Sequence, residues 1–174
     1  NNYNRIKYDN FYIGSMGRKT GPLYAGADDF TLIFPKFATD YTCYYDIKSN
    51  QFELTGIFEE ALLYSYALNT PSDDFSISAD RYGAYLHGNP PLVHITNNDN
   101  PQGLKVLFIK DSMSVPLAAF FSTVCSDVWL IDPRYYEGDM EQFAGEQELD
   151  FVIVSIYPQA LVDEFFPYCI KNEE

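Results

Sequence analysis

The stretch Leu104–Tyr136, LKVLFIKDSMSVPLAAFFSTVCSDVWLIDPRYY, determines the fold class that the sequence predicts. Its continuous apolar runs at Lys105–Ile109 and Asp127–Ile131 predict two strands. Between them, a polar Lys110-Asp-Ser112 turn leads into Ser114–Val124, whose composition predicts a helix. A strand, a helix and a second strand in this order form the basic unit of a parallel sheet.

The same alternation of helices and strands continues towards the end of the chain. Met140–Gln147 predicts a helix, Phe151–Ile156 a third apolar strand, and Gln159–Phe165 a short helix. Continuous apolar strands separated by helices are typical of a parallel sheet that is buried on both faces. We therefore predict the α/β class, with a three-layer, flavodoxin-like parallel sheet in residues 92–174.

The first half, residues 1–91, predicts an aromatic, loop-rich part. A small antiparallel hairpin is expected where Tyr41–Ile47 and Gln51–Gly56 flank a hydrophilic turn. The other predictions are loop with short extended pieces in the opening segment, a short apolar run at Phe30–Phe34, a helix over Ile57–Tyr66, loop over Ser72–Pro91 and a short strand at Leu92–Thr96. At 174 residues, the chain predicts a single domain spanning 1–174.

Composition excludes several classes of partner. The chain has 11 Lys and Arg against 25 Asp and Glu, and its formal charge of -14 repels nucleic acid and anionic membrane surfaces. No apolar stretch has the roughly eighteen residues that a membrane helix needs. The 15 Tyr and 14 Phe suit a core, and also a surface that binds glycans or protein chains. Because the chain begins at Asn1 without Met, we expect it to be truncated at its N-terminus.

The three cysteines, Cys43, Cys125 and Cys169, fit neither a zinc site nor a disulfide framework by their spacing. At most one disulfide can form among them. Cys125 lies in an apolar run, which favours a buried, unreactive thiol. We expect no metal site and no cofactor.

Ser112 is the candidate nucleophile, because it lies just past a predicted strand, where open α/β sheets form their sites. The amides of Ser112 and Met113, at the start of the following helix, would stabilise an oxyanion there. The alternative is structural, since Asp and Ser are preferred helix N-caps and Asp111-Ser112 opens a helix in either case. The spacing alone leaves both interpretations open.

Two segments carry a resemblance to a known family. Val106–Ser112, VLFIKDS, and Val128–Tyr136, VWLIDPRYY, look like the serine block and the next strand of the DHHW protein family. That family resembles the SGNH hydrolases and the alginate O-acetyltransferase-like proteins of bacterial cell envelopes. Gly14–Gly21 with Asp28-Asp29, and Tyr85–Leu92, also look similar to it, so the resemblance spans most of the chain.

The resemblance implies an SGNH-like esterase or O-acetyltransferase-related protein, extracytoplasmic or at the cell surface, that acts on acyl groups of cell-envelope glycans. Ser112 matches the nucleophile, and Asp111 is its neighbour in the Asp-Ser pair. The family's Asp-His-His-Trp segment, which should hold the base and its carboxylate, has no match in residues 1–10. A serine without a hydrogen-bonded base is a poor nucleophile, so we expect this chain alone to be nearly inert.

Two histidines could replace the missing base. His87 lies in a predicted loop that could approach the sheet edge, and it is the weak candidate for a local base. His94 falls inside a predicted strand, which favours a packed, hydrogen-bonded ring.

Four residues are candidates for substrate binding. Arg134 follows a predicted strand and could hold an anionic group bidentately, or it could pair with Asp132 instead. Tyr135 and Tyr136 would line the same edge or pack beneath it. Asn89, in the Gly88-Asn89-Pro90 turn, completes the group.

Two further functions compete with the hydrolase interpretation. In the first, the chain is a non-catalytic module of the cell surface that binds a glycan or a protein, and Ser112 is only a helix cap. In the second, it is a cytoplasmic flavodoxin-like binding protein that holds flavin or phosphate at the strand ends. The negative charge disfavours the second.

Overall fold

The computed structural model describes residues 2–48, 50–68 and 81–158, which form two sheets and five short helices. In chain order the elements are β1 (Tyr3–Tyr12), α1 (Ser15–Thr20), α2 (Pro22–Ala25), β2 (Asp28–Pro35), β3 (Tyr41–Ile47), β4 (Asn50–Gly56), α3 (Phe58–Leu62), β5 (Leu92–Asn97), β6 (Leu104–Lys110), α4 (Val115–Phe121), β7 (Cys125–Ile131), α5 (Met140–Glu146) and β8 (Phe151–Ser155). Short 3-10 segments lie at Ser65–Ala67, Arg81–Ala84 and Ser112–Ser114. Within the described ranges, no helix is long and apolar enough to cross a membrane.

Six strands form one mixed sheet in the order β4-β3-β5-β7-β6-β8. β6 pairs in parallel with β7 and with β8. β3 is antiparallel to β4 and β5, and β5 is antiparallel to β7. The predicted three-layer parallel sheet of SGNH or flavodoxin type is therefore wrong, because the sheet is mixed and the predicted hairpin is part of it.

β5 is the strand that makes the sheet mixed. Its residues alternate between half-buried and buried positions, as in an antiparallel strand with one covered face. The alternation is visible in the sequence Leu-Val-His-Ile-Thr-Asn. The direction of the strand is set by β3 and β7, which lie far away along the chain, so the run alone does not reveal it.

Several positions of strands and helices predicted for the second half are confirmed. β6, β7, β8 and α5 lie within two residues of their predicted positions, and both parallel pairings are present. α4 is shorter than predicted, since a 3-10 segment takes up Ser114 and the helix ends at Phe121, before a turn over residues 122–124. The predicted helix at Gln159–Phe165 lies outside the described residues, as does Cys169.

The opening segment differs from its prediction. Instead of loop, β1 and β2 form a two-stranded antiparallel ribbon with Tyr3 paired to Pro35. Its apolar side chains, Tyr8, Phe30, Leu32 and Phe34, pack on the main core. The Tyr85 hydroxyl joins the ribbon to the body, because it accepts a hydrogen bond from the Ile33 amide and donates one to the Ile33 carbonyl, each at 2.9 Å.

The main sheet is covered on both faces by apolar residues. One face carries the larger core, in which α3, α4 and the ribbon pack against β3, β5, β6 and β7. The other face has a smaller cluster beneath α5, built on Leu107, Ile109, Trp129 and Ile131. Cys43 and Cys125 are buried free thiols, and burial raises the pKa of both, in agreement with the unreactive state predicted for Cys125.

The two edges of the main sheet differ in polarity. The exposed side chains of β4 are polar and include Gln51, Glu53 and Thr55. β8 instead exposes Phe151, Val152 and Val154, and its outer edge has no partner strand within the described residues.

Candidate active site

Ser112 lies at the carboxyl end of β6, as predicted, in the first position of the 3-10 turn that leads into α4. Its side chain is half-buried. Among residues 2–48, 50–68 and 81–158, no hydrogen bond is present to the Ser112 hydroxyl, whereas the hydroxyl of Ser114 is held by Ser155 Oγ at 2.6 Å. Of the two serines in this turn, Ser112 is the one whose hydroxyl is available.

Asp111 has a structural role in this turn. Its buried carboxylate caps the turn by accepting a hydrogen bond from the Met113 amide at 2.8 Å. The other oxygen accepts from the Tyr157 amide at 2.6 Å, which ties the loop after β8 to the loop after β6. The Met113 amide, predicted as an oxyanion donor, is therefore engaged by Asp111, and the Ser112 amide remains as the candidate donor.

His87 does not contact Ser112. Its ring packs among Tyr45, Phe52 and Tyr64, with centroid distances of 4.8, 5.3 and 4.4 Å. Burial lowers the pKa of this imidazole, and its Nε2 has no hydrogen-bond partner within the described chain. The ring lies over β3 and β4, whereas Ser112 follows β6, which is separated from β3 by two strands.

His94 is bound elsewhere. It lies on β5 and stacks on Trp129 at a centroid distance of 4.4 Å. Its Nε2 is 2.9 Å from Asp127 Oδ1, and the Thr96 hydroxyl donates to the same oxygen at 3.3 Å. This agrees with the packed, hydrogen-bonded ring that the strand predicted. Neither histidine of the chain is placed to act on Ser112.

Charged residues meet at the ends of β6 and β7. The Lys110 ammonium lies 3.2 Å from Asp132 Oδ2 and 3.1 Å from Asn89 Oδ1. Arg134 donates to Asp132 bidentately, from Nε at 2.8 Å and from Nη2 at 2.6 Å, and its amide donates at 3.2 Å. Asn89, predicted to bind substrate, thus accepts a hydrogen bond from Lys110. Arg134 pairs with Asp132, which was one of the two alternatives that the sequence left open.

Burial and ion pairing shift the pKa values in this network in opposite directions. Burial alone would raise the pKa of Asp132, but the hydrogen bonds and positive charges of Arg134 and Lys110 lower it. Burial lowers the pKa of Lys110, and Asp132 opposes that effect. The hydrogen bond to Asp132 raises the pKa of Arg134. Asp111, next to Ser112, also raises the pKa of both cations, so two cations face two carboxylates here.

Lys110 is a site residue that the sequence analysis missed. A signal was available, because Ile109 and Ile131 are paired in parallel and each is followed at once by a charge of opposite sign. Neighbouring parallel strands that end in register bring such residues together. The sequence analysis instead places Lys110 in the polar Lys110-Asp-Ser112 turn.

An open groove of about 400 Å³ lies beside the network. Six of its lining residues are Asp46, Lys48, Arg134, Tyr135, Tyr136 and Glu137. Two cations lie over the Tyr135 ring, with Lys48 Nζ at 5.0 Å and Arg134 Cζ at 5.2 Å from its centroid. The groove brings together the predicted binding residues Arg134, Tyr135 and Tyr136, while Asn89 and Ser112 do not line it.

Three solved structures have a fold similar to that of this chain. A DHHW family protein from Eubacterium siraeum is similar over 89% of this chain and 48% of that protein, with 20% identity and a TM-score of 0.66. Bacillus cereus PatB1 with a sulfonyl adduct is similar over 94% and 50%, with 19% identity and a TM-score of 0.65. A second PatB1 structure gives 18% identity, a TM-score of 0.64 and coverage of 95% and 52%.

The chain spans about half the length of these three structures. Neither a protein-family model nor a curated protein matches the sequence. At 18–20% identity the comparison bears on the fold alone. The chain has a fold like that of a DHHW family protein and of PatB1.

Proposed function

We propose that this chain is the serine-bearing part of an SGNH-like esterase or O-acetyltransferase-related protein that acts on acyl groups of cell-envelope glycans. The observation that carries the proposal is Ser112, whose hydroxyl is half-buried, lies at a strand end and makes no hydrogen bond within the described residues. A nucleophilic serine must approach a substrate carbonyl, which a hydroxyl already committed to the fold does not do.

The surroundings of Ser112 suit the charge changes of acyl transfer. The Ser112 oxygen attacks the ester carbonyl, its proton passes to a base, and the carbonyl oxygen becomes an oxyanion. The Ser112 amide favours negative charge in this region, where the positive charges of Lys110 and Arg134 are balanced by the carboxylates of Asp132 and Asp111. The base lies outside the described residues in this proposal, because both histidines of the chain are held away from Ser112.

The groove is the proposed binding site for the glycan. Tyr135 and Tyr136 offer aromatic surface, while Asp46, Lys48 and Glu137 offer charged hydrogen-bonding groups. Aromatic faces combined with polar side chains suit the mixed apolar and hydroxyl surfaces of a sugar. Arg134 links this groove to the Ser112 loop through Asp132 and Lys110.

Covalent labelling tests the proposal. PatB1 has been solved with a sulfonyl adduct, and sulfonyl and fluorophosphonate reagents modify activated nucleophiles. We expect a fluorophosphonate probe to label Ser112 in the full-length gene product, and Ser112→Ala to abolish labelling. Ser114→Ala is the matched control, since the Ser114 hydroxyl is committed to Ser155. Absence of labelling in the folded, full-length protein would reject the nucleophile.

A non-catalytic binding module is the second candidate. The observation that favours it is the capping role of Asp111, which makes the turn a stable structural unit without any reaction. In that case glycan binding would survive Ser112→Ala and be lost in Tyr135→Ala. Binding that depends on Tyr135, together with no labelling of Ser112, would select the module.

A further inference from the structure

The turn that carries Ser112 is short and weakly bonded within itself. It is a 3-10 segment of three residues, Ser112–Ser114, and the contact from the Ser114 amide to the Asp111 carbonyl is long, at 3.5 Å. Segments of this kind have poor hydrogen-bond geometry and occur in short pieces. The orientation of Ser112 therefore depends on contacts from outside the turn.

The end of β8 supplies the first of these contacts. β8 pairs in parallel with β6, and Ser155 is the partner of Lys110, so Ser155 lies beside the start of the turn. The Ser155 carbonyl accepts a hydrogen bond from the Asp111 amide at 3.3 Å. Two residues further on, the Tyr157 amide donates to the Asp111 carboxylate at 2.6 Å. The backbone after β8 thus fixes the residue that precedes Ser112.

The Ser155 side chain fixes the other end of the turn. Its hydroxyl oxygen lies 2.6 Å from that of Ser114, and the Ser114 hydroxyl is also 3.3 Å from the Ser155 carbonyl. Ser114 is only 2% exposed, so water has little access to its hydroxyl. A hydrogen bond that is shielded from water is stronger than one on the surface. The contact between the two hydroxyls therefore restrains the residue that closes the turn.

The two restrained residues lie on either side of Ser112. Asp111 and Ser114 are buried, whereas Ser112 is half-buried and Met113 is 60% exposed. The hydroxyl and the amide of Ser112 thus extend from a backbone that is fixed before and after them. Reacting groups have to be held close to their productive geometry, since a misplacement of about 1 Å lowers a reaction rate by about 100-fold.

We propose that Ser155 is a positioning residue for Ser112, an inference that rests on the proposed nucleophilic role of Ser112. Through the Ser114 hydroxyl, Ser155 keeps the turn in the orientation in which the Ser112 hydroxyl faces the ester carbonyl and the Ser112 amide faces the oxyanion. The Ser155 hydroxyl is engaged by Ser114. Ser155 therefore acts on the geometry of the turn and not on the substrate.

The kinetics of fluorophosphonate labelling in the full-length protein test this role. Ser155→Ala removes the hydroxyl and keeps the strand. We expect the rate constant at saturating probe to fall about tenfold, because a small displacement of a reacting group lowers the rate steeply. The probe concentration that gives half of this rate should not change, and the label should remain on Ser112.

Two matched variants accompany Ser155→Ala. Ser155→Thr keeps the hydroxyl on a residue that suits a strand, and it should restore the wild-type rate constant. Thr55→Ala removes a hydroxyl from β4, the opposite edge strand, and should be labelled like the wild type. Failure of Ser155→Thr to restore the rate would overturn the proposal.

Ser114→Ala removes the other hydroxyl of the same contact. We expect it to be labelled on Ser112 at the same reduced rate as Ser155→Ala, and the double variant to be no slower than either single variant. Residues that act through one contact are not additive in this way. Effects that multiply in the double variant would show that the two serines act independently, which contradicts the proposal. If Ser155→Ala does not fold, an unchanged rate in Ser114→Ala decides against the positioning role.

The same measurements distinguish the positioning role from the proposed function and from a purely structural role. A folded wild-type protein that is not labelled rejects Ser112 as the nucleophile, and the positioning role falls with it. A wild-type protein and a Ser155→Ala variant that are labelled equally fast overturn the positioning role alone. A lower melting temperature of Ser155→Ala with an unchanged rate constant would show that Ser155 serves only the fold.

Discussion

Asp132 is the residue that joins Lys110 and Arg134 at the ends of β6 and β7, close to Ser112. Its fully buried carboxylate accepts hydrogen bonds from the Lys110 ammonium and from the amide and guanidinium of Arg134. A buried charge that loses its partner is strongly unfavourable. The free energy of unfolding is therefore more sensitive to Asp132 than to a carboxylate on the surface.

Asp132→Asn should lower the free energy of unfolding by about 3–5 kcal/mol at pH 7, because Lys110 then remains buried without its counter-ion. Urea denaturation of the variant and the wild type measures this. Asp28→Asn, at an exposed position, is the matched control and should change little. A loss below about 1 kcal/mol would mean that Asn89 alone satisfies Lys110.

The pH dependence of this effect has a definite sign. Because Arg134 and Lys110 lower the pKa of Asp132 in the folded state, its stabilisation is fully present above its unfolded value of about 3.9. It is lost as the pH falls through the lower, folded value. The difference between wild type and Asp132→Asn should thus be constant from about pH 7 to 5 and shrink below about pH 4. Denaturation curves at these pH values would contradict this if the difference grew on acidification.

His87 should make stability depend on pH in a different range. Burial lowers its pKa, so the unfolded chain binds the proton more readily, and folding stability decreases as the pH falls below about 6.5. His87→Asn should remove this part of the slope, since asparagine tolerates the positive φ of 56° at this position. Urea midpoints of both proteins at pH 7.5 and 5.5 test the expectation. An equal fall in the urea midpoint between pH 7.5 and 5.5 in both proteins would rule out His87 as the source of the pH dependence.

Sequence reasoning located Ser112 because a strand end is a local feature. It could not assign Asn89 to Lys110, because that contact depends on β5 running antiparallel beside β7. His87 failed as a base for the same reason, since the loop that carries it lies over β3 and β4. The sequence was enough to place a residue at the end of a strand, whereas its contact partners depend on the order and direction of the strands.

At the level of elements, the β1–β2 ribbon is joined to the body through Tyr85. Tyr85→Phe removes the hydrogen bonds to both the amide and the carbonyl of Ile33, and should lower the free energy of unfolding by about 1–3 kcal/mol. Hydrogen exchange of the Ile33 amide should become faster. Tyr66→Phe, at an exposed tyrosine, is the matched control and should leave both unchanged. Slow exchange at Ile33 in Tyr85→Phe would show that apolar packing alone holds the ribbon.

The apolar edge of β8 should promote association of this chain. An uncharged edge strand with exposed Phe151, Val152 and Val154, unpaired on its outer side by any strand of residues 2–48, 50–68 and 81–158, is able to pair with a strand of another chain. Val154→Lys should reduce concentration-dependent light scattering while changing stability by less than about 0.5 kcal/mol. Thr55→Lys, on the polar edge strand β4, should leave the scattering unchanged. A wild-type chain that stays monomeric at all concentrations would contradict the expectation.

Element prediction succeeded where the apolar pattern was strong. The runs that form β6, β7 and β8 are continuous, and their parallel pairing was confirmed. β1 was missed because Asn, Arg, Lys and Asp make up half of it, so its strand character comes from pairing with β2. The mixed sheet could not be derived, because strand direction in β5 is a property of distant partners.

The charge of the whole molecule opposes its compact state. With a formal charge of -14 on 174 residues, like charges repel at low ionic strength. The melting temperature should rise between about 10 and 150 mM NaCl, as the Debye length falls from about 30 to 8 Å. Glycerol at matched osmolality is the control for effects that do not involve charge. A falling melting temperature would mean that ion pairs such as Lys7 with Asp29 outweigh the repulsion.

The reversed direction of β5 has a consequence for engineering. Because β5 starts at the end of the sheet where β6 and β7 stop, residues 81–91 lead into it next to the parallel unit that carries Ser112. This segment also belongs to the core, since Ala84 and Leu86 are fully buried and exchange backbone hydrogen bonds with residues 62–64. Engineering of the site from this side therefore has to keep the buried residues and can begin at Tyr82, a half-buried residue whose hydroxyl donates to the Met113 carbonyl, one residue beyond Ser112, at 3.5 Å.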